Sequence, residues 1–206
     1  DGSSNIDNNI SIGTIFSILP YYNGSIENSL KQNGKSQLCA GFFVYGPQTT
    51  LILSLGKGVH SFYFDNKNSQ FNILNSNIII PKSTSEFSIN SSYRRYWNDK
   101  EKNYIKNCED GIDGIRDKNF NMRWVGSLVA DASRIFERGG IFLYPEDKRE
   151  KNKSGRLRLT YEANPISFLI SQAGGKATNG SIDILNVEVN EICLLYTSPS
   201  PRDQLT

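Results

Sequence analysis

Asp1-Gly2-Ser3-Ser4-Asn5-Ile6-Asp7 opens the chain and combines an acid with consecutive small residues. The carboxylate suits a hard cation such as Mg²⁺, and a run of small residues lets backbone N–H groups converge on an anion. The same segment also fits an ordinary turn at a helix start, because Asp, Gly and Ser are common turn residues. Taken alone, the turn is the more frequent case.

The segment Arg156-Leu157-Arg158-Leu159-Thr160-Tyr161-Glu162 alternates polar and apolar residues, as a strand does. Strand geometry predicts Arg156, Arg158, Thr160 and Glu162 on one face. Two guanidinium groups beside a carboxylate suit a phosphate next to a metal ion. A solvated edge strand with cross-strand ion pairs is the commoner alternative and stays open. With the opening segment, this one suggests a metal-dependent phosphatase that acts on a sugar phosphate.

Composition excludes several classes of protein. The chain has 206 residues, 37% hydrophobic residues, a mean hydropathy of −0.45 and a net charge of +2. It lacks long basic runs interleaved with aromatic residues, so we expect no nucleic acid partner. It also lacks the roughly 18 consecutive apolar residues of a membrane span, so we expect no membrane association. Three widely spaced cysteines favour a reduced, cytoplasmic setting over a disulfide framework.

Short apolar or alternating runs between turn residues predict a sheet, antiparallel in part, in the first half of the chain. Residues 21–37 are polar and contain glycine, which predicts a surface loop. One strand is predicted between the opening turn and residue 20. The further predicted strands of this half are residues 39–45, 50–55, 59–64, 70–74 and 78–81.

The second half predicts helices and fewer strands, which makes the whole an α/β fold of alternating sheet and helix layers. In residues 125–138 the apolar residues recur at helical spacing, and Gly139-Gly140 ends the helix. Helices are also predicted at 98–107 and 165–173, and strands at 141–144 and 157–161. We place a domain boundary near residue 80.

Several further side chains suit a phosphate ligand, each with a plainer alternative. Arg123 and Trp124 at a predicted helix start offer a charge and an indole N–H, or else simply stack on each other. Tyr93 and Tyr144 each offer a hydroxyl, although most tyrosines pack at the edge of a core. His60 is the single histidine, so a histidine metal site is not expected.

Eight segments together resemble class I fructose-1,6-bisphosphatase, most closely its bacterial-type branch. The resemblance covers residues 1 to about 192 in order, and it implies a sugar-phosphatase fold whose N-terminal part is missing here. The segments that carry it are Asp1-Gly2-Ser3-Ser4-Asn5-Ile6-Asp7, Ser11-Ile12-Gly13-Thr14-Ile15-Phe16-Ser17, Tyr45-Gly46-Pro47, Gly58-Val59-His60, Arg123-Trp124-Val125-Gly126-Ser127-Leu128-Val129-Ala130-Asp131, Gly139-Gly140-Ile141-Phe142-Leu143-Tyr144-Pro145, Tyr161-Glu162-Ala163-Asn164-Pro165 and Gln172-Ala173-Gly174-Gly175-Lys176-Ala177.

The resemblance implies hydrolysis of fructose 1,6-bisphosphate in gluconeogenesis by a cytoplasmic homotetramer with Mg²⁺, or with Mn²⁺ or Zn²⁺. Asp1 and Glu162 would be metal ligands, and Asp1 would also contact the sugar. Gly2 and Ser3 would hold the phosphate that is cleaved, and Arg158 would lie beside it. The remaining residues would bind the retained phosphate or the sugar: Asn90, Tyr93, Arg123 (toward the neighbouring subunit's site), Trp124, Leu128, Tyr144 and Arg156.

Departures from the family pattern affect both ends of the chain. Arg156 stands where most members have Lys, and Trp124 where many have a second Tyr. Further metal-ligating acids and the AMP-binding helices of the family would precede residue 1, so we expect a fragment that is inactive by itself. Residues 1–80 would end the N-terminal metal- and phosphate-binding domain, and residues 81–192 would form the sugar-phosphate-binding domain. Residues 193–206 depart from the family and are interpreted as a non-native tail outside the fold; a genuine disordered tail is the alternative.

Three other functions remain open. A sedoheptulose-bisphosphatase or a dual-specificity enzyme would share these residues. A non-catalytic paralogue would bind sugar phosphates without turnover. An inositol-phosphate phosphatase shares the Asp-Gly-Ser start but lacks the Leu-Tyr-Pro and Tyr-Glu-Ala-Asn-Pro segments, so it ranks last.

Overall fold

The computed structural model describes residues 1–22, 24–146, 148–149 and 155–196. These residues form a five-stranded antiparallel sheet, a three-stranded parallel sheet, a short two-stranded pairing and four α-helices. In chain order the elements are β1 (Ile12–Ile18), α1 (Ile26–Leu30), β2 (Cys39–Tyr45), β3 (Thr49–Ser54), β4 (His60–Asp65), β5 (Gln70–Asn75), β6 (Glu86–Ser88), α2 (Asp99–Glu109), β7 (Asn121–Met122), α3 (Leu128–Arg138), β8 (Ile141–Phe142), β9 (Leu157–Arg158), α4 (Asn164–Gln172) and β10 (Leu195–Tyr196). The α/β layering predicted from the sequence is confirmed.

The larger sheet is a meander in which β1 to β5 follow one another in space as they do along the chain. Its inner face packs against α3 and α4. In β2, Ala40, Phe42 and Val44 point to that face and are buried, because side chains two apart in a strand share a face. The opposite face carries a row of aromatic contacts, including Phe16 with Phe43 and Phe64 with Phe71.

Helix α3 supplies the inner surface that covers this sheet. The sequence predicted a helix over 125–138, and the observed helix begins three residues later, after the N-cap Ser127. The predicted apolar face is buried at Leu128, Val129, Ala132, Ile135 and Phe136, whereas Val125 is exposed. The C-cap Gly139 has a φ of 70°, which glycine adopts without the steric cost that other residues meet.

A second, smaller core lies between the parallel sheet and α2. Strand β6 is the centre of this sheet, with β7 and β8 on either side. Trp97, Tyr104 and Ile105 pack there against Phe87 and Ile141. The larger core draws on residues from both sides of residue 80, so the first sheet and the helices after it share one hydrophobic interior.

Two predictions in the first half are wrong in detail. The segment 21–37 was predicted as a loop, but it contains α1, which Ser25 caps by accepting a hydrogen bond from the N–H of Asn28 at 3.2 Å. Residues 78–81 were predicted as a strand, but they join no sheet of the described structure. The N–H of Ile78 instead donates to the carbonyl oxygen of Val59, and the N–H of Ile80 donates to that of Ala173, because this segment crosses between layers.

The predicted strand 157–161 is wrong beyond its second residue. Strand β9 ends at Arg158, and residues Leu159–Ala163 form a π-helical turn that leads directly into α4. The expected single face of four polar residues therefore does not exist. Thr160 is buried, while Arg158 is exposed, because a helical turn distributes successive side chains around its axis.

The segment from residue 193 is partly inside the fold. Leu195 and Tyr196 form β10 and pair antiparallel with Arg158 and Leu157 of β9. The expected exclusion of this tail therefore fails for these two residues, whose backbone groups complete a ladder beside β9. Residues 197–206 lie outside the described residues, and the interpretation of the tail as non-native stays a prediction.

Within the described residues, the longest helices have 11 residues, and none is long and apolar enough to cross a membrane.

Candidate active site

Asp1 lies between the first sheet and the start of α3. One carboxylate oxygen, Oδ2, accepts hydrogen bonds from the hydroxyl of Ser127 and from the N–H of Val129, each at 3.1 Å. A carboxylate at this position is favoured by the positive end of the helix dipole. The nitrogen of Asp1 donates to the carbonyl oxygen of Gly13 in β1 at 2.6 Å. These three hydrogen bonds fix Asp1 at the junction of β1 and α3.

Gly2 and Ser3 follow as a tight turn. Gly2 has a φ of 78°, and a Cβ at this position would lie 3.1 Å from the Ser127 hydroxyl oxygen. Ser3–Asn5 form one turn of 3₁₀-helix, closed by the Asn5 N–H on the carbonyl of Gly2 at 2.8 Å. The N–H groups of Gly2 and Ser3 have no hydrogen-bond acceptor among the described residues, so they are open to an anion.

Arg158 and Glu162 face each other across the first turn after β9. Glu162 accepts a hydrogen bond from the Arg158 N–H at 2.7 Å and another from its guanidinium at 3.1 Å. The charge of Glu162 raises the pKa of Arg158 above its usual value. A π-helical turn, and not the predicted strand, brings these two side chains into contact. Their joint role in binding a phosphate and a metal ion stays a prediction.

Four of the predicted phosphate ligands meet in one place. The Arg156 guanidinium lies 4.8 Å from the ring centre of Tyr93 and 5.1 Å from that of Tyr144. The ring of Trp124 lies 5.8 Å from that of Tyr144. The Nη1 atom of Arg156 is buried and has no hydrogen-bond partner among the described residues. An unpaired buried donor is costly, and this nitrogen is therefore a candidate donor to an anionic ligand.

The other predicted ligands have additional roles in the fold. Asn90 caps a 3₁₀-turn with its side-chain oxygen Oδ1, which accepts a hydrogen bond from the Ser92 N–H at 3.2 Å. Arg123 is half exposed, and its Nε lies 3.8 Å from a carboxylate oxygen of Glu86. Leu128 is buried in the larger core at the first position of α3. The structure thus leaves Arg123 accessible and gives Leu128 a packing role.

Comparisons with known proteins relate the chain to one family. Residues 1–76 match the family described as Fructose-1-6-bisphosphatase, N-terminal domain, and residues 80–194 match its C-terminal domain. Over 195 residues the chain is 53% identical to the curated Fructose-1,6-bisphosphatase class 1 of Azorhizobium caulinodans. The aligned region covers 93% of this chain and 60% of that relative.

The chain belongs to the fructose-1,6-bisphosphatase family. It spans less than two thirds of the length of the Azorhizobium relative. The two family matches divide the chain between residues 76 and 80, beside the predicted domain boundary, which stays a prediction.

Membership of the fructose-1,6-bisphosphatase family implies a divalent metal cofactor. The described residues contain no group of three or more His, Cys, Asp or Glu side chains that could hold an ion. Asp1 and Glu162 offer carboxylate oxygens of the right chemistry, but a hard cation needs about six oxygen ligands. Two carboxylates are by themselves too few ligands for a complete metal site.

Sequence reasoning missed the side chains that surround the predicted site. Ser127 was not assigned a role, yet it binds Asp1. Arg149 stacks on Tyr93 and Tyr96 at 4.3 Å and 4.5 Å from their ring centres. Asp131 lies in the apolar stripe of α3 and is fully buried. An acid at a position that helical spacing assigns to the core was the signal that could have identified Asp131.

Arg156→Gln is expected to raise the pKa of Tyr93 toward its usual value. The Arg156 guanidinium beside the Tyr93 hydroxyl lowers the pKa of this tyrosine, and Arg149 contributes less. The measurement is an NMR titration of the 206-residue chain with ¹³C-labelled tyrosine, with Tyr93→Phe as the assignment. Arg94→Gln is the control, because Arg94 pairs with Glu109 at 2.7 Å. An unchanged Tyr93 titration in Arg156→Gln would contradict this arrangement.

Proposed function

We propose that this protein hydrolyses fructose 1,6-bisphosphate to fructose 6-phosphate and phosphate, in the cytoplasm and as a step of gluconeogenesis. The observation that carries the proposal is the Arg156 guanidinium, whose buried Nη1 lacks a partner in the described structure and whose neighbours are Tyr93, Tyr144 and Trp124. Family membership and the 53% identity to a curated class 1 enzyme support the same substrate.

The retained phosphate would bind at Arg156. A guanidinium offers several donors in a fixed plane, and charge-assisted hydrogen bonds to phosphate are about twice as strong as neutral ones. The hydroxyls of Tyr93 and Tyr144, the amide of Asn90 and the indole N–H of Trp124 would complete the shell. The exposed Arg123 would reach into the site of a neighbouring subunit of a homotetramer.

The reacting phosphate would bind at the other end, on the N–H groups of Gly2 and Ser3 and on Arg158. Water attacks the phosphorus as the bond to the oxygen of sugar carbon 1 breaks, and that oxygen takes a proton. Asp1 and Glu162 would supply part of the ligand set of Mg²⁺, or of Mn²⁺ or Zn²⁺, which neutralises phosphate charge when bound. Binding at the retained phosphate would fix the orientation of the reacting one.

A phosphate-release assay on the longest protein that the source transcript encodes tests the proposal. Turnover of fructose 1,6-bisphosphate that exceeds that of sedoheptulose 1,7-bisphosphate in kcat/KM would support it. The reverse ratio would assign the sedoheptulose substrate. Binding of fructose 6-phosphate without turnover of either sugar would identify a non-catalytic sugar-phosphate-binding protein.

Arg156→Gln should reduce kcat/KM for fructose 1,6-bisphosphate by about 10- to 100-fold. Charge-assisted hydrogen bonds contribute about 1.5–3 kcal/mol, and each 1.4 kcal/mol corresponds to a factor of ten. Lys106→Gln is the control, since Lys106 pairs with Asp110 at the end of α2 and is not one of the proposed ligands. Equal kcat/KM values for Arg156→Gln and Lys106→Gln would remove Arg156 from the site.

A further inference from the structure

Asp131 is a buried acid that the proposed chemistry does not use. It has no exposed surface, although it belongs to α3 and faces the core side of that helix. Its carboxylate accepts hydrogen bonds from the Ser88 hydroxyl at 2.9 Å, from the Val125 N–H at 3.3 Å and from the Gly126 N–H at 3.2 Å. Burying a carboxylate is costly unless its hydrogen-bond partners are well placed. These three donors are therefore the groups that Asp131 holds in position.

Those donors fix the turn that precedes α3, residues 123–127. Gly126 has a φ of 80°, which glycine adopts without steric cost, and the Asp131 carboxylate accepts the hydrogen bond of its N–H. Ser88, in the central strand of the parallel sheet, contacts the carbonyl oxygen of Arg123 as well as Asp131. Arg134 donates to the Ser88 hydroxyl at 2.6 Å and fixes that side chain in turn. Ser88 thus holds the turn at Arg123, and Asp131 holds it at Val125 and Gly126.

The same turn carries groups from both halves of the proposed site. At its beginning, Trp124 packs against Tyr144, beside Arg156. At its end, Ser127 donates to the carboxylate of Asp1, and the N–H of Val129 binds the same oxygen. The residues for the retained phosphate and the acid for the reacting phosphate therefore depend on the position of five consecutive residues.

We infer that Asp131 is a positioning residue: through the turn 123–127 it sets Trp124 and Asp1 in register with each other. The catalytic consequence of this inference rests on the proposed function. Its structural content is independent of that function. If Asp131 only stabilised α3, its removal would lower the unfolding temperature without moving the two ends of the turn.

The first test uses the 206-residue chain without ligand. Labelling with 5-fluorotryptophan gives ¹⁹F signals for Trp97 and Trp124, which Trp124→Phe assigns. Asp131→Asn should shift the Trp124 signal and leave that of Trp97 in place. It should also raise the amide exchange rate of Val129 at least tenfold, because the hydrogen bond to Asp1 is weakened. Ser88→Ala should change both quantities in the same direction and to a smaller extent.

Ile135→Val is the matched control on the same helix, because it removes one buried methyl group from a side chain that has no polar atom to bind the turn. It should lower the unfolding temperature and leave the Trp124 signal and the Val129 exchange rate unchanged. Identical responses in Asp131→Asn and Ile135→Val would overturn the inference. If Asp131→Asn does not fold, Ser88→Ala against Ile135→Val decides the question.

The second test uses the longest encoded protein. Asp131→Asn should lower kcat by about 100-fold, the effect expected when a reacting group is misplaced by about 1 Å, with a smaller change in KM. If the wild-type protein shows no bisphosphatase activity, the proposed function fails and the ¹⁹F and exchange results alone decide the inference. An active wild type together with a fully active, folded Asp131→Asn variant would overturn the inference and leave the proposed function in place.

Discussion

Glu162→Gln is expected to reduce kcat by about 10²–10³-fold in the longest encoded protein, the scale seen when one preorganised electrostatic group is removed. Glu162 would provide one of the two carboxylates that this chain offers to a cation. It also balances the charge of Arg158 through the contact of 3.1 Å. An amide keeps the shape of the side chain and loses both the ligand charge and this pairing. Phosphate release at saturating fructose 1,6-bisphosphate measures the effect.

Glu188→Gln is the control for this change, because Glu188 is exposed and the same atoms are exchanged there. We expect its kcat to equal that of the wild type. The unfolding temperatures of both variants show whether the loss at Glu162 reflects chemistry or folding. A Glu162→Gln protein that folds and retains near wild-type kcat would remove Glu162 from the proposed metal site.

The larger sheet could be predicted from the sequence because its pattern and its turns agree. Strand β2 was predicted with the observed bounds. Its alternate residues are buried against the helices, and β3 follows after a short turn that contains Pro47. A local pattern determines such a hairpin, because pairing between neighbouring strands requires no information from distant parts of the chain.

The π-helical turn at Leu159–Ala163 could not be predicted from the same kind of pattern. Polar and apolar residues alternate there as they do in a strand, yet the backbone continues from β9 directly into α4. Packing against the larger core decides the outcome, since Leu159 and Ala163 are fully buried at a spacing of four residues. Tertiary contacts of this kind override local preference.

The site was predictable in its residue types and not in its connections. Tyr93, Trp124, Tyr144 and Arg156 were identified from their side-chain chemistry and then from the family resemblance, and the structure brings them together. The hydrogen bonds of Asp1 to Ser127 and Val129 join residues 126 and 128 positions apart. No rule based on residue spacing predicts a contact at that separation. The contacts of the turn before α3 could therefore be seen only in the folded structure.

Gly13→Ala is expected to destabilise the chain by about 3 kcal/mol or more, at the upper end of the costs of overpacking. A Cβ at Gly13 would lie 2.0 Å from the carbonyl oxygen of Phe43 and 2.7 Å from a methyl carbon of Val129. Neither atom can move freely, because Phe43 is in the neighbouring strand and Val129 is in the buried face of α3. Alanine gains only about 0.4–1 kcal/mol from the lower entropy of the unfolded chain. Urea unfolding of the 206-residue chain gives the difference.

Thr14→Ala is the control for this change, since Thr14 is the next residue of β1 and is exposed on the opposite face, with its hydroxyl 3.1 Å from the Tyr45 hydroxyl. Its cost should stay below about 1 kcal/mol, the usual range for one exposed hydrogen bond. The backbone of Gly13 also binds the backbone of Asp1, so displacing β1 from α3 displaces Asp1 from Ser127. A Gly13→Ala chain as stable as Thr14→Ala would mean that β1 and α3 are further apart than described, and that Asp1 is not held by both.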